Sequence, residues 1–197
     1  IHDSNSYLLA ALVDAAGGLT AYRGTVGDRP DEVRDLLDHL ATEVDVIVTS
    51  GGVSMGVHDV VKGVLRERAE VDFVTVAMQP GKPQGFGVLG ERRVPFFGLP
   101  GNPVSVFVSF EAFVRPVLRR LAGLEPAVAS TTPVRLTASL RSPAGRLQFA
   151  RASVHRDPQD GTWLATPVAG QGSHFVADLA AADALLRVPA EVTHLQP

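Results

Sequence analysis

The sequence predicts an α/β domain with a mostly parallel sheet, followed by a small all-β domain. Two observations support this prediction. Helix-like and strand-like segments alternate over residues 1–124, whereas residues 133–169 contain strand-like patterns only. Between them lies a stretch rich in Gly, Pro, Ser and Thr, a composition typical of linkers. We therefore predict two domains, at residues 1–124 and 127–197.

The first half of the α/β domain shows helix, strand, helix and strand in turn. Apolar residues at helical spacing predict a helix over 6–16, and the following glycine pair ends it. A short strand is predicted over 19–23. A second helix begins near Pro30, because the fixed φ of proline suits a first helical turn. The β-branched segment 44–48 is typical of a central parallel strand that is buried on both faces.

The second half adds a crossover helix, further strands and a long helix. A helix is predicted over 59–68 and a strand over 71–76. Residues 86–97 show two strand patterns around a Gly-containing tetrapeptide, which predicts a β-hairpin. A long helix follows over 104–121, and Pro116 inside it should kink the helix.

The all-β domain is predicted from alternating apolar and polar residues. The predicted strands are 134–140, 147–154, 162–168 and 185–188. A short helical or irregular segment is expected over 175–184.

Three Gly- and Pro-rich loops follow predicted strands of the α/β domain, at residues 50–54, 80–83 and 98–103. If the strands before the first two loops are parallel and the hairpin returns the chain, all three loops lie at one edge of the sheet. Ligands of open α/β sheets bind at that edge. We expect the start of the first helix, at residues 3–5, to lie there too.

The composition excludes several classes of protein. The 197 residues carry 18 basic and 21 acidic side chains, a formal net charge of −3, which excludes nucleic-acid binding through bulk positive charge. The sequence has no apolar run of about 18 residues, so no membrane-spanning helix is predicted. It contains no Cys, which excludes disulfides and thiolate metal sites. With no secretory signal pattern either, the cytoplasm is the expected compartment.

The first loop, Ser50-Gly51-Gly52-Val53-Ser54, joins a predicted strand to a predicted helix. Because glycine lacks Cβ, backbone N–H groups of this loop can approach an anion, although a tight turn without a ligand is the alternative interpretation. Asp59 lies just beyond the loop, three residues before Lys62. It is either a ligand for a divalent metal beside a phosphate or an N-cap carboxylate.

The second loop presents Lys82, and Lys62 and Lys82 are the only two lysines of the chain. Pro80 and Pro83 stiffen this loop on both sides of Gly81 and Lys82. A rigid loop that carries a lysine predicts a point-charge contact with a phosphate. A solvated turn with an incidental lysine is the alternative.

The third loop holds Asn102 at the start of the long helix, between Pro100-Gly101 and Pro103. Free N–H groups at a helix start bind anions, so this loop is a second candidate for anion binding. Capping of the helix by Asn102 is the alternative, but capping does not need two flanking prolines.

In this order along the chain, these motifs resemble those of the MoeA-type molybdopterin molybdenumtransferase family. The resemblance covers nearly all of residues 1–122, and residues 127–197 resemble the C-terminal β domain of that family. It implies a three-layer molybdopterin-binding domain with a mostly parallel sheet, followed by the small β domain. The motifs that carry it are Asp3-Ser4-Asn5, the 50–54 loop with Asp59 and Lys62, Pro80-Gly81-Lys82-Pro83, and the 98–104 loop.

The resemblance implies a step of molybdenum cofactor biosynthesis. Such an enzyme takes adenylylated molybdopterin and molybdate, cleaves the adenylate with Mg²⁺, inserts the metal and releases AMP. It further implies a homodimer and a contact with the adenylyltransferase of the pathway, with no nucleic acid or membrane as partner. On the family pattern the catalytic residues are Asp59, Lys62 and Lys82. Asp59 supports the metal or the substrate, and Lys62 and Lys82 face phosphate or molybdate. The residues implied in substrate binding are Asp3, Ser50, Gly51, Gly52, Ser54, Pro80, Gly81, Pro100, Gly101, Asn102 and Pro103.

Two other functions remain open at this point. A molybdopterin adenylyltransferase shares the core module but usually carries Thr-Gly-Gly-Thr-Gly in the first loop and lacks a β domain. A non-catalytic binding or scaffold module of the same fold is the second alternative. The family also has two N-terminal domains and a first core strand before the Asp3 segment. We therefore expect these 197 residues to need a strand from a longer chain or from another chain, and to be inactive alone.

Overall fold

The computed structural model describes residues 3–52, 60–67, 71–168, 170–172, 174 and 176–197. It divides the chain into two compact units. The first unit contains Ile1–Val76 and Gly81–Val128, and the second contains Ala77–Pro80 and Ala129–Pro197. Each unit has its own sheet, and each is described by itself below.

The helices, in chain order, are α1 (Asn5–Ala15), α2 (Pro30–Glu43), α3 (Val60–Glu67), α4 (Pro103–Ser109), α5 (Arg115–Leu121) and α6 (Val176–Ala180). The strands are β1 (Ile47–Ser50), β2 (Val71–Thr75), β3 (Met78–Gln79), β4 (Pro83–Leu89), β5 (Val94–Leu99), β6 (Arg135–Leu136), β7 (Leu140–Arg141), β8 (Leu147–Arg156), β9 (Trp163–Pro167), β10 (Ala184–Val188) and β11 (His194–Leu195). Among the described helices, none is long and apolar enough to cross a membrane.

The sheet of the first unit has the strand order β1-β5-β4-β2. β1 and β5 are parallel, while β4 runs antiparallel to both β5 and β2. Three of the four strands therefore run in the same direction, and the mostly parallel sheet predicted from the sequence is confirmed. The carboxyl ends of β1, β2 and β5 consequently meet at one edge of this sheet, together with the start of β4.

Helices cover both faces of the sheet, so the first unit has three layers. One core cluster joins α2 and α3 to one face of the sheet, through Val33, Leu37, Ile47, Val64, Leu65, Val71, Leu89 and Phe96 among others. A second cluster joins α1 and the α4–α5 segment to the opposite face, through Leu12, Ala16, Phe97, Leu99, Val106, Phe110 and Val114. The alternation of Phe96 and Phe97 between the two clusters follows from the twofold repeat of a strand.

The strand predicted over 19–23 does not form, and this prediction was wrong. Residues 18–27 have no helix or strand, and Leu19 is 93% exposed. Within the described sheet, β1 is an edge strand that pairs with β5. A cavity of about 1500 Å³ separates the outer edge of β1 from residues 17–28, with α1 and α2 contributing its other walls. A strand-like sequence cannot form a ladder when its neighbour lies beyond hydrogen-bonding distance.

The long predicted helix is interrupted before Pro116. Residues Phe110–Val114 form one π-helical turn between α4 and α5, and Pro116 falls in the first turn of α5. Proline lacks the N–H that a continuous α-helix needs, and a π-turn is a common local response. The Arg115 guanidinium stabilises the junction, because it donates to both carboxylate oxygens of Glu111 at 2.7 and 2.8 Å and to the Ala15 carbonyl oxygen at 3.1 Å.

The second unit is a small β structure, as predicted. Its larger sheet has the order β10-β8-β9-β6, and β3 pairs with β8 in parallel. The predicted strand 134–140 is instead divided between β6 and β7, and β7 pairs with β11 in a separate ladder. Small residues of adjacent strands form much of the core, including Ala150, Ala152 and Ala165.

A buried arginine organises one loop of the second unit. Arg151 is 1% exposed, and its guanidinium donates to the carbonyl oxygens of Gly170 and Gly172. The Gln171 side chain accepts from the Arg151 backbone N–H at 3.0 Å and donates to the Arg151 carbonyl at 3.1 Å. The Gln171 side chain therefore pairs with the backbone of β8 at Arg151, between the residues of β8 that pair with β3 and those that pair with β9.

Candidate functional site

The candidate site lies at the sheet edge where β1, β2 and β5 end and β4 begins. The residues Thr49, Gly98, Gly85 and Phe73 form one row across the four strands near this edge. Neighbouring strands lie about 4.8 Å apart, so the row spans roughly 14 Å from β1 to β2. The loops that follow these strands share one rim, as the sequence predicted.

The first loop turns sharply at two successive glycines. Gly51 and Gly52 have φ values of 78° and 74°, in the left-handed region that favours glycine. A Cβ atom at Gly51 would meet nothing within 4 Å, so its conformation, not crowding, requires glycine. The Gly51 N–H donates to the Leu99 carbonyl oxygen at 3.0 Å. Gly51 therefore shapes the loop and ties it to β5, and its own N–H is not available to an anion.

The start of α1 contacts the third loop directly. The Asn5 Nδ2 atom donates to the Gly101 carbonyl oxygen at 2.7 Å. A Cβ atom at Gly101 would lie 3.7 Å from the Cα atom of Gly51. The start of α1, the first loop and the third loop therefore meet at one corner of the rim, which agrees with the expectation for residues 3–5.

Asp3 is the exposed carboxylate at this corner. Its Oδ1 atom accepts from the Ser6 backbone N–H at 3.0 Å. Hydrogen bonding to Ser6 lowers the pKa of the Asp3 carboxyl below its usual value, with a smaller contribution from the positive charge of Arg23. Asp3 is therefore ionised at neutral pH and helps to start α1.

The second loop is anchored through its backbone. The Val76 N–H donates to the Lys82 carbonyl oxygen at 2.8 Å, and Gly81 adopts a φ of 101°. The buried Gln84 side chain donates from Nε2 to the Gly81 carbonyl oxygen at 2.7 Å. The Lys82 side chain is exposed. Pro80, also predicted in this loop, belongs to the second unit together with residues 77–79.

The third loop leads from β5 into α4. Asn102 occupies the N-cap position of α4 with extended backbone angles, and its carbonyl oxygen accepts from the Val106 N–H at 2.9 Å. The Asn102 side chain makes no capping hydrogen bond, so side-chain capping does not explain why this loop carries asparagine. Pro103 is at the first helical position, where a missing N–H costs nothing. Pro100 is buried where β5 ends.

Lys62 lies deeper than a surface contact to phosphate would suggest. It is 9% exposed on α3, and its Nζ atom lies 5.8 Å from the centroid of the Phe73 ring. Phe73 packs against the core on the α2–α3 face of the sheet. A Cβ atom on Gly85 would lie 2.9 Å from the Phe73 ring, so the glycine leaves room for that ring. The role of Lys62 toward an anion stays a prediction.

Ser54 and Asp59 fall within residues 53–59, outside the described residues. Their predicted roles in substrate and metal binding stay predictions. In the part of the chain that the structure describes, no three His, Asp or Glu side chains form a group that could hold a metal ion.

Sequence reasoning missed two residues that shape the site, Gln84 and Ser109. Gln84 is 6% exposed in β4, and its Nε2 atom also donates to the Ser109 Oγ atom at 2.7 Å. Ser109 is fully buried in α4. No signal marked either residue, because Gln84 lies just outside the predicted hairpin 86–97 and Ser109 lies within the predicted helix 104–121.

Comparison with protein-family models agrees with this architecture. Residues 1–120 match the model described as a probable molybdopterin binding domain. Residues 133–197 match the model of the MoeA C-terminal region (domain IV).

Curated proteins are similar over almost the whole chain. It is 42% identical to molybdopterin molybdenumtransferase 2 of Mycobacterium tuberculosis, a match that covers 99% of this chain and 48% of that protein. It is 37% identical to molybdopterin molybdenumtransferase 1 of the same organism, with 96% of this chain and 45% of that protein covered. The chain thus spans about half the length of the curated relatives it matches.

Two solved structures share the fold. A molybdenum cofactor biosynthesis protein from Pyrococcus furiosus gives a TM-score of 0.75 at 29% identity, covering 98% of this chain and 61% of that chain. The molybdopterin biosynthesis moeA protein from Pyrococcus horikoshii gives a TM-score of 0.76 at 23% identity, covering 100% and 44%. At that identity the second likeness supports the fold alone.

Proposed function

The chain belongs to the molybdopterin-binding domain family and carries a MoeA-type C-terminal region, and from this premise we propose that it is the molybdopterin-binding part of a molybdopterin molybdenumtransferase. The observation that carries the proposal is the meeting of three loops and the α1 start at one sheet edge. The reaction proposed for the whole protein is the insertion of molybdate into adenylylated molybdopterin with release of AMP. The relatives that carry this name are about twice as long as this chain.

Lys82 is the proposed contact for the anionic part of the substrates. Its ammonium is exposed, while the loop that carries it is held by hydrogen bonds at Val76 and Gln84. A cation on a loop that is already ordered stabilises a bound anion, because no entropy is lost in ordering the loop when the anion binds. The terminal phosphate of molybdopterin and molybdate are both oxyanions that such a group recognises.

Two orphaned polar atoms support the binding of a heterocycle at the same edge. Among the described residues, neither Asn5 Oδ1 nor Thr49 Oγ1 has a hydrogen-bond partner, although both atoms are buried. A buried acceptor without a partner costs roughly 1–3 kcal/mol, which a ligand donor can recover. Pterin rings carry N–H groups that are donors of this kind.

The remaining assignments rest on the family resemblance. Ser50, Gly52 and Ser54 are proposed to line the phosphate or pterin position, and Asp59 is proposed as the ligand of Mg²⁺. Gly51, Gly101, Asn102 and the three prolines Pro80, Pro100 and Pro103 are proposed to shape the pocket. Lys62, which lies on α3, is proposed to contact the phosphate or molybdate. A cytoplasmic homodimer that contacts the adenylyltransferase of the pathway is proposed on the same ground.

The test separates binding from turnover. Binding is measured by titrating molybdopterin into the 197-residue chain. Turnover is measured with the natural protein, as the release of AMP when molybdate is added to adenylylated molybdopterin. We expect the chain to bind molybdopterin and the longer protein to release AMP. Adenylylation of molybdopterin from ATP would instead support the adenylyltransferase alternative. If the chain binds a peptide but does not bind molybdopterin, the scaffold alternative is supported and the proposal is overturned.

A further inference from the structure

Gln84 is a buried polar side chain on a strand that is otherwise built from glycines and apolar residues. It is 6% exposed, and its partner Ser109 is fully buried. Polar groups of this kind are retained in a core only when their hydrogen bonds are made. The Nε2 atom of Gln84 makes two, to the Gly81 carbonyl oxygen and to the Ser109 Oγ atom, each at 2.7 Å.

The orientation of the Gln84 amide follows from its partners. The Gly81 carbonyl oxygen can only accept, so the atom facing it must be the amide nitrogen. Both protons of that nitrogen are used, one toward the loop and one toward α4. Gln84 therefore joins the second loop to Ser109 on α4 through a fixed side chain.

The hydrogen bond to Gly81 controls the peptide plane that precedes Lys82. The peptide plane that follows Lys82 is held separately, because the Lys82 carbonyl oxygen accepts from the Val76 N–H at 2.8 Å. With both flanking peptide planes held, the direction of the Cα–Cβ bond of Lys82 is set. The φ of 101° at Gly81 is a conformation that a glycine samples freely, so a hydrogen bond is needed to select it.

We propose that Gln84 is a positioning residue whose hydrogen bond to Gly81 holds the Gly81–Lys82 backbone so that the Lys82 ammonium faces the oxyanion. This inference rests on the proposed function, in which Lys82 contacts phosphate or molybdate. Gln84 acts through Lys82 and need not touch the ligand itself.

The test compares Gln84→Met with Ser109→Ala. Methionine keeps the length and the unbranched shape of glutamine but removes both hydrogen bonds, to Gly81 and to Ser109. Ser109→Ala removes a buried hydrogen bond of the same side chain and leaves the one to Gly81. A purely structural role for Gln84 predicts that each variant affects the loop in proportion to its loss of stability, whereas a positioning role predicts that Gln84→Met affects Lys82 beyond that loss.

Two readouts follow the second loop. The first is hydrogen exchange of the Val76 amide, which we expect to accelerate roughly tenfold or more in Gln84→Met relative to Ser109→Ala. The second is the affinity for molybdate by calorimetric titration, which we expect to fall about tenfold in Gln84→Met, a loss of the order of one hydrogen bond. In a Lys82→Ala background the same Gln84→Met change should have little further effect on affinity.

The outcomes distinguish the two proposals. If Lys82→Ala leaves the affinities for both molybdate and molybdopterin unchanged, the role of Lys82 fails, and the Val76 exchange rate alone then decides whether Gln84 holds the loop. If Lys82→Ala weakens binding but Gln84→Met does not, the positioning role of Gln84 is overturned. Equal acceleration of Val76 exchange in Gln84→Met and Ser109→Ala overturns it as well.

Discussion

Replacing Lys82 by alanine gives the sharpest test of the anion site. The side chain is exposed and the loop is held by its backbone, so the substitution leaves the hydrogen bonds from Val76 and Gln84 in place. We expect a change of less than about 0.5 kcal/mol in the free energy of unfolding. A charge-assisted hydrogen bond to an oxyanion contributes roughly 1.5–3 kcal/mol. Its loss should raise the dissociation constant for molybdopterin by roughly ten- to hundredfold.

The assay is a calorimetric titration of molybdopterin into the folded variant, with thermal unfolding measured on the same sample. Lys82→Arg keeps the charge and should lose much less affinity. Arg66→Ala removes one positive charge from the last turn of α3 and controls for net charge. An unchanged dissociation constant for Lys82→Ala, or an equal loss in Arg66→Ala, would refute the assignment of Lys82 to the anion.

Other substitutions test the rest of the rim. Asp59→Asn should reduce Mg²⁺-dependent AMP release in the natural protein more than it reduces the melting temperature, because asparagine caps a helix about as well as aspartate; normal turnover would show that Asp59 only caps. Gly51→Ala should cost roughly 1–2 kcal/mol in the free energy of unfolding, because the φ of 78° disfavours alanine and nothing crowds the new Cβ. Gly101→Ala, whose Cβ would make an ordinary contact at 3.7 Å with Gly51, should cost less in denaturant titrations. For Asp3 the folded-state pKa is depressed, so its stabilising contribution is present above the unfolded value of about 3.8 and is lost as the pH falls through the folded value. Asp3→Asn should therefore flatten the acid limb of a stability–pH curve, and an unchanged limb would contradict this reasoning.

Local patterns predicted most helices and the edge of the sheet that carries the site. The apolar spacing of α1 and the Pro at the start of α2 and α4 are local signals: α1 formed within two residues of its predicted bounds, and α2 and α4 begin at or next to their predicted first residues. The Gly-Gly turn after β1 and the Pro-Gly turn after β5 likewise mark strand ends. Strand direction followed from connectivity, because a helical crossover brings the next strand back parallel.

Pairing and burial depend on partners that are distant in the sequence. Residues 19–23 have strand-like composition, but a strand forms only beside another strand, and β1 lies across a cavity of about 1500 Å³. From the sequence of its helix alone, Lys62 is expected to be an exposed cation. The packing of α3 on β2 instead places its Nζ atom beside the Phe73 ring.

The positions of the helices, of the rim loops and of the rigid residues in those loops follow from local sequence, because backbone preferences of Gly, Pro and β-branched residues act within a few positions of the chain. The tertiary structure decided which backbone groups those loops can offer. The Gly51 N–H donates to Leu99, and the Gln84 amide donates to Ser109. Hydrogen bonds between residues that are far apart in the chain carry no local signature, since they depend on how the strands are ordered in the sheet.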